Sequence, residues 1–179
     1  MLGQTTTETD SRKIYLSISH GKVIQGTGAN KQLFSYVDGT IEAVYQKTSR
    51  FGKEVVNRWY IDLRDGAELY SLCLPYSSGV FKSIILSLAS DEALSSSTHV
   101  RIEPYEGRNG YTKVVVYSDG VKLDWVTKQL PEQETVSVGG KTIKDDSKQM
   151  EYICSLVDTL LQRIEKNNNQ VMKKKVNCQ

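Results

Sequence analysis

The order of patterned segments between Thr40 and Asp119 constrains this chain more than any other feature. Thr40–Lys47 and Lys53–Arg64 read as strands on either side of the basic turn Thr48–Gly52, and Ala67–Leu74 follows the Asp65-Gly66 turn. A helical stretch, Ser77–Ala89, comes next, then strands over Thr98–Tyr105 and Tyr111–Ser118. Period-two alternation carries the strands. Within Lys53–Arg64, Val55, Trp59, Ile61 and Leu63 share one face, while Glu54, Arg58, Tyr60, Asp62 and Arg64 share the other. The apolar series Val80, Phe81, Ile84, Ile85, Leu88 has helical spacing, and Ser77 or Ser78 can cap it by accepting a free backbone N–H.

Residues 1–12 are polar and Thr-rich and read as a disordered leader. Lys13–Ser19 and Lys22–Gln25 form a short hairpin through His20-Gly21, laid against the main strands or extending their sheet. Gly26–Lys31 is a connector whose lone GxG lacks the strand and helix of a dinucleotide fingerprint. These segments and the strands after them make one unit, 13–128, with Val121–Thr127 as a candidate sixth strand. Residues 129–145, with Pro131, acidic positions and Gly139-Gly140, read as a linker. A helix over 146–166 follows, capped by Asp145 or Asp146. Met150, Ile153, Cys154, Val157, Leu160, Leu161 and Ile164 form its apolar stripe, and Asn167–Asn169 stops it. That stripe over 146–164 can pack on its own chain or serve as a homo-oligomer seam. Residues 167–179 form a basic tail.

Several function classes have no support in these residues. No GxSxG, HExxH, Walker A or Ser/His/Asp grouping is present, so no enzyme and no catalytic residue is expected. The two histidines, His20 and His99, sit at strand ends and cannot build a zinc cluster, so no metal or other cofactor is expected. Asp65 is explained by its turn, and Asp145-Asp146 by helix capping. Three widely spaced cysteines (Cys73, Cys154, Cys178) form no disulfide framework and fit a reducing, cytoplasmic setting. No apolar run is long enough to span a membrane, and no membrane partner is expected.

Ten tyrosines and two tryptophans remain to be explained, together with the placing of the cations in a chain of net charge only +2. Five strands with a helix between the third and fourth is the element order of the OB-fold, a small barrel that binds unpaired nucleic acid across its second and third strands. The expected class is therefore mainly β: an OB-like five-stranded barrel with that helix, an N-terminal hairpin and a C-terminal amphipathic helix. Such a site needs cations along the phosphates and flat rings on which bases stack. The first turn offers Lys47, Arg50, Phe51 and Lys53; the second strand offers Arg58 and Tyr60. The last two strands and their loop offer Arg101, Tyr105, Arg108, Tyr111 and Lys113. Trp59, among apolar neighbours, reads as core; Tyr70 shares a face with Leu72 and Leu74; Trp125 is expected to pack on the C-terminal helix or hairpin.

The segments LRDGAELYSLCLPYSSGVFKSIILSLAS and VRIEPYEGRNGYTKVVVYSDGVKLDW resemble small phage-encoded single-stranded DNA-binding proteins of OB-fold type, over about Tyr36 to Trp125. The resemblance implies a protein that coats transient single strands during viral genome replication or recombination, in the host cytoplasm. DNA is the expected ligand, with RNA as the alternative. Many such families end in an acidic tip that recruits partners; this chain ends basic, with Lys173–Lys175 in its tail. A barrel used for protein interaction or virion structure is the competing expectation.

Overall fold

Alternation along the chain builds a sheet with one greasy face. The computed structural model describes residues 13–176, without the side chains of Phe51 and of residues 170–176. The expected leader, 1–12, and the end of the tail lie outside the described residues. The chain runs β1 (Lys13–Ser19), β2 (Lys22–Gln25), a 3-10 turn (Gly28–Asn30), β3 (Gln32–Phe34), β4 (Val37–Phe51), β5 (Glu54–Asp65) and β6 (Glu68–Pro75). After these come α1 (Gly79–Leu88), β7 (His99–Glu106), β8 (Thr112–Ser118), β9 (Val121–Lys122), β10 (Glu134–Val138), β11 (Lys141–Asp145) and α2 (Ser147–Val176).

The fold is mainly β, and its large sheet is mixed and open. Nine strands follow the order β3-β2-β1-β6-β5-β4-β7-β8-β9. Here the structure differs from a closed five-stranded barrel. Closure would require β6 to pair with β8. Instead β6 takes β1 as a parallel partner, from Lys13↔Leu69 to Leu16↔Leu72, and β8 takes the two-residue β9. The N-terminal hairpin thus extends the sheet from the edge that a barrel would have closed.

The sheet nevertheless curls. At Gly39 (φ +151°), where β4 crosses from β5 to β7, a Cβ would stand 2.6 Å from the Arg64 carbonyl oxygen, closer than any side chain permits. A β-bulge between Ile41 and Ala43 adds to the bend. The curl brings β2 against β7 although four strands separate them in the ladder. At the contact, Gly21 (φ +66°) presses on Tyr105 and Glu106, its missing Cβ lying 2.4 Å from the Glu106 backbone nitrogen. The Gly21 N–H donates to Thr112 Oγ1 at 3.2 Å.

The concave side is the core. Trp59, Ile61, Leu63, Leu72, Leu74, Val100, Ile102 and Val116 are buried there against Phe81, Ile84, Ile85 and Leu88 of α1. Ser78 caps α1 by accepting the Phe81 N–H. The Trp59 ring stacks on Phe81 at 4.5 Å, which places it in the core as its apolar neighbours imply. Trp125 is left 44% exposed, unlike the packed residue expected.

The apolar stripe of α2 is used within the chain: Met150, Ile153, Val157, Leu160 and Ile164 join the same core. Lys82 of α1 pairs with Asp146 at 2.7 Å. Arg163 donates to the Ala89 and Asp91 carbonyls at the end of α1. The helix does not stop at Asn167–Asn169 but continues to Val176. The first two asparagines instead tie it to the segment after α1. Asn167 donates to the Glu92 and Leu94 carbonyls, and Asn168 accepts from Ser96. The stretch expected as a linker contains the β10–β11 hairpin, with Val136 opposite Ile143.

Candidate nucleic-acid interface

The face of β5 opposite the core carries the densest group of rings and cations. Strand register sets the rows: Lys47–Arg58 next to Tyr45–Tyr60–Cys73, then Ala43–Asp62–Ser71–Tyr15 across four strands. Tyr45 and Tyr60 stack at 5.3 Å with planes 9° apart, and Tyr15 meets Tyr60 edge-on at 6.5 Å. Three rings from β4, β5 and β1 therefore form one aromatic strip. Tyr15, 58% exposed, is its open end, while Tyr45 and Tyr60 are half-buried.

A polar anchor holds the strip. Asp62, buried beneath it, accepts from Ser71 Oγ at 2.6 Å and from Lys13 Nζ at 2.7 Å. Lys13 also donates to the Tyr45 hydroxyl at 3.1 Å and lies 5.3 Å from the Tyr45 ring centre. Burial opposes the charge on Lys13, but the bonds to Asp62 and Tyr45 outweigh it and hold the ammonium above its ordinary range. Burial, and the Cys73 thiol beside it, push the Tyr60 hydroxyl up, so it stays neutral. Arg58 reaches Cys73 Sγ at 3.7 Å, which fixes a guanidinium beside the ring pair. A fixed cation beside neutral rings can hold a phosphate while the rings stack bases.

The residues expected from sequence fall into four groups. Lys47, Arg58 and Tyr60 belong to the strip. Lys53 lies in the β4–β5 turn, and Arg50 alternates to the face opposite Lys47. The Phe51 side chain lies outside the described residues. Tyr105, Arg108, Tyr111 and Lys113 line one recess of about 480 Å3 at the β7–β8 loop. Arg101 stands apart, donating to Asp38 at 3.2 Å with its guanidinium 4.2 Å from the Tyr36 ring centre.

Sequence reasoning missed Lys13, Tyr15 and Tyr45. Tyr45 carried a usable signal, since it shares parity with Lys47 and pairs across from Tyr60. Tyr15 and Lys13 join only through the parallel β1–β6 register, which has no local signature. The β1–β2 hairpin runs from the strip to the loop recess, because Tyr15 lies in the strand whose turn presses on Tyr105 and Glu106.

Among the described residues, no group of three or more His, Cys, Asp or Glu is placed to hold a metal ion. No described helix is long and apolar enough to cross a membrane. Comparison of the chain with protein-family models, with curated proteins and with solved structures found no match.

Proposed function

We propose that this protein binds single-stranded DNA without strong dependence on sequence, and does so in genome replication or recombination, in keeping with its resemblance to phage proteins of that kind. One observation carries the reading: the strip Tyr15–Tyr60–Tyr45 with Lys47 and Arg58 alongside, on the face of β5 and β6 away from the core. Stacking supplies affinity for any base, and the cations supply a salt-sensitive phosphate term. The curled β4–β8 strands with α1 at their base support an OB-like arrangement in which β5 and β6 are the second and third strands. Fluorescence anisotropy with labelled oligo-dT at two salt concentrations tests it. Binding should weaken with salt at a slope near −0.7 per phosphate contacted. Undetectable binding at low salt removes the reading.

A second reading is an assembly or virion module, favoured by the β10–β11 hairpin. One face of that hairpin bears Val136, Val138 and Ile143, each at least 40% exposed. Light scattering discriminates the two: association that is independent of DNA and lost in Val138→Glu favours assembly through the hairpin.

A further inference from the structure

The β7–β8 loop does more than place two tyrosines and two cations. Its recess also contains Glu106, a carboxylate that a phosphate-binding surface does not need and that would repel phosphate. The carboxylate stands over the loop, with Oε1 3.8 Å from where a Cβ on Gly110 would sit. Among the described side chains Glu106 makes no hydrogen bond or salt bridge, although Arg108 and Lys113 line the same recess. The loop is shaped in advance. Gly107 N–H donates to the Tyr111 carbonyl and Gly110 N–H to the Gly107 carbonyl, each at 2.9 Å. The turn of the β1–β2 hairpin backs it at Gly21.

An acceptor-only group in a recess that tyrosines also line selects among bases by their donors. A carboxylate has two acceptor oxygens and no donor. Adenine and cytosine each present one exocyclic amine beside a ring nitrogen acceptor, which a carboxylate repels. Thymine presents one N–H between two carbonyls. Guanine alone presents two adjacent donors, N1–H and the 2-amino group, spaced to meet both oxygens at once.

From this we infer that the recess is a guanine pocket: Glu106 accepts from the Watson–Crick edge, Tyr105 or Tyr111 stacks the base, and Arg108 and Lys113 take the flanking phosphates. The inference rests on the single-strand reading above and adds a base preference at one position. A strand that is otherwise bound without regard to sequence can slide until a guanine occupies the recess.

The test is anisotropy with short labelled oligo-dT carrying one central dG, dA, dC or deoxyinosine. The dG strand should bind about fivefold to tenfold tighter than plain oligo-dT, the low end of what one bidentate base contact is worth. Deoxyinosine, which lacks the 2-amino group, should lose most of that gain, and this arm needs no variant. In Glu106→Gln the dG preference should vanish while oligo-dT binding stays, or rises slightly as a negative charge is removed. Three results would each overturn the pocket: dG equal to dT, inosine equal to guanine, or a preference that survives Glu106→Gln. With oligo-dT binding intact they remove the pocket alone. Loss of binding to every strand removes the underlying reading as well.

Discussion

Leu63 and Asp62 are neighbours in β5, both buried, and they belong to different kinds of structure. Leu63 lies on the concave side with Ile61 and Trp59, where stability comes from apolar area removed from water and from tight packing. Asp62 lies on the other side beneath three tyrosines, where order comes from a carboxylate bonded to Ser71 and Lys13. The concave side can do one thing well, which is to hold the curl. The convex side keeps rings half-open in fixed positions, a state that costs some burial and leaves surface for a ligand. A single strand therefore divides its residues by parity alone between the packed core and, on the proposed reading, recognition.

The sharpest way to break this division is to damage each side and ask which property fails. Leu63→Ala should destabilise the fold by about 2–5 kcal/mol in urea titration, as expected where a buried leucine leaves a cavity. Its affinity for oligo-dT, measured where it is still folded, should stay near wild type. Asp62→Ala should cost less, about 1–3 kcal/mol, because it strands the Ser71 hydroxyl and frees Lys13. It should also loosen the strip, so binding should weaken too; unchanged binding would mean that the anchor does not position the rings.

Tyr15→Ala should leave stability nearly unaltered and weaken oligo-dT binding by about 1 kcal/mol, the loss of one stacking surface. A thermal shift without loss of affinity would make the strip a second core. The contrast between Tyr60→Ala and Lys47→Ala sharpens the roles further. The tyrosine variant should keep the wild-type salt slope, and the lysine variant should have a shallower one, because only the ion contact is screened. Equal slopes would contradict the assignment.

The smallest effect concerns pH. The bond from Arg64 holds the Glu42 carboxyl below its ordinary value, so this pair stabilises the fold above the unfolded carboxyl range and is lost as pH falls through the lower, folded value. Both side chains are about a third or more open to water, so Glu42→Gln should flatten the acid limb of stability only slightly. A large change would mean that the convex side depends on surface ion pairs rather than on the buried Asp62.

Much of this was legible in the chain. The strands β4 to β8 and α1 follow from alternation, turn residues and a serine cap, all local signals. The Arg58/Tyr60 parity followed from the same alternation. What was not legible depends on long-range pairing. Nothing near Lys13 says that β1 will run parallel to β6, and that pairing both leaves the sheet open and brings Tyr15 to Tyr60. The hairpin within 129–145 was a different kind of miss. Val136, Val138 and Ile143 alternate around Gly139-Gly140, a readable two-residue turn, but the acidic and proline content suggested a linker. The length of α2 was hidden because asparagine usually ends a helix, whereas here Asn167 and Asn168 bond the loop after α1.

Gly21 shows how an unclosed sheet can keep its curvature. Backbone seated on backbone, with no side chain between, works as a clasp between the first hairpin and the far loop. Any larger residue at position 21 would act as a spacer, prising the two apart and straightening the surface on which a strand would lie. Replacing this one hydrogen atom by a methyl group should therefore be felt at the aromatic strip and the loop recess at once, without replacing a single ring or charge in either.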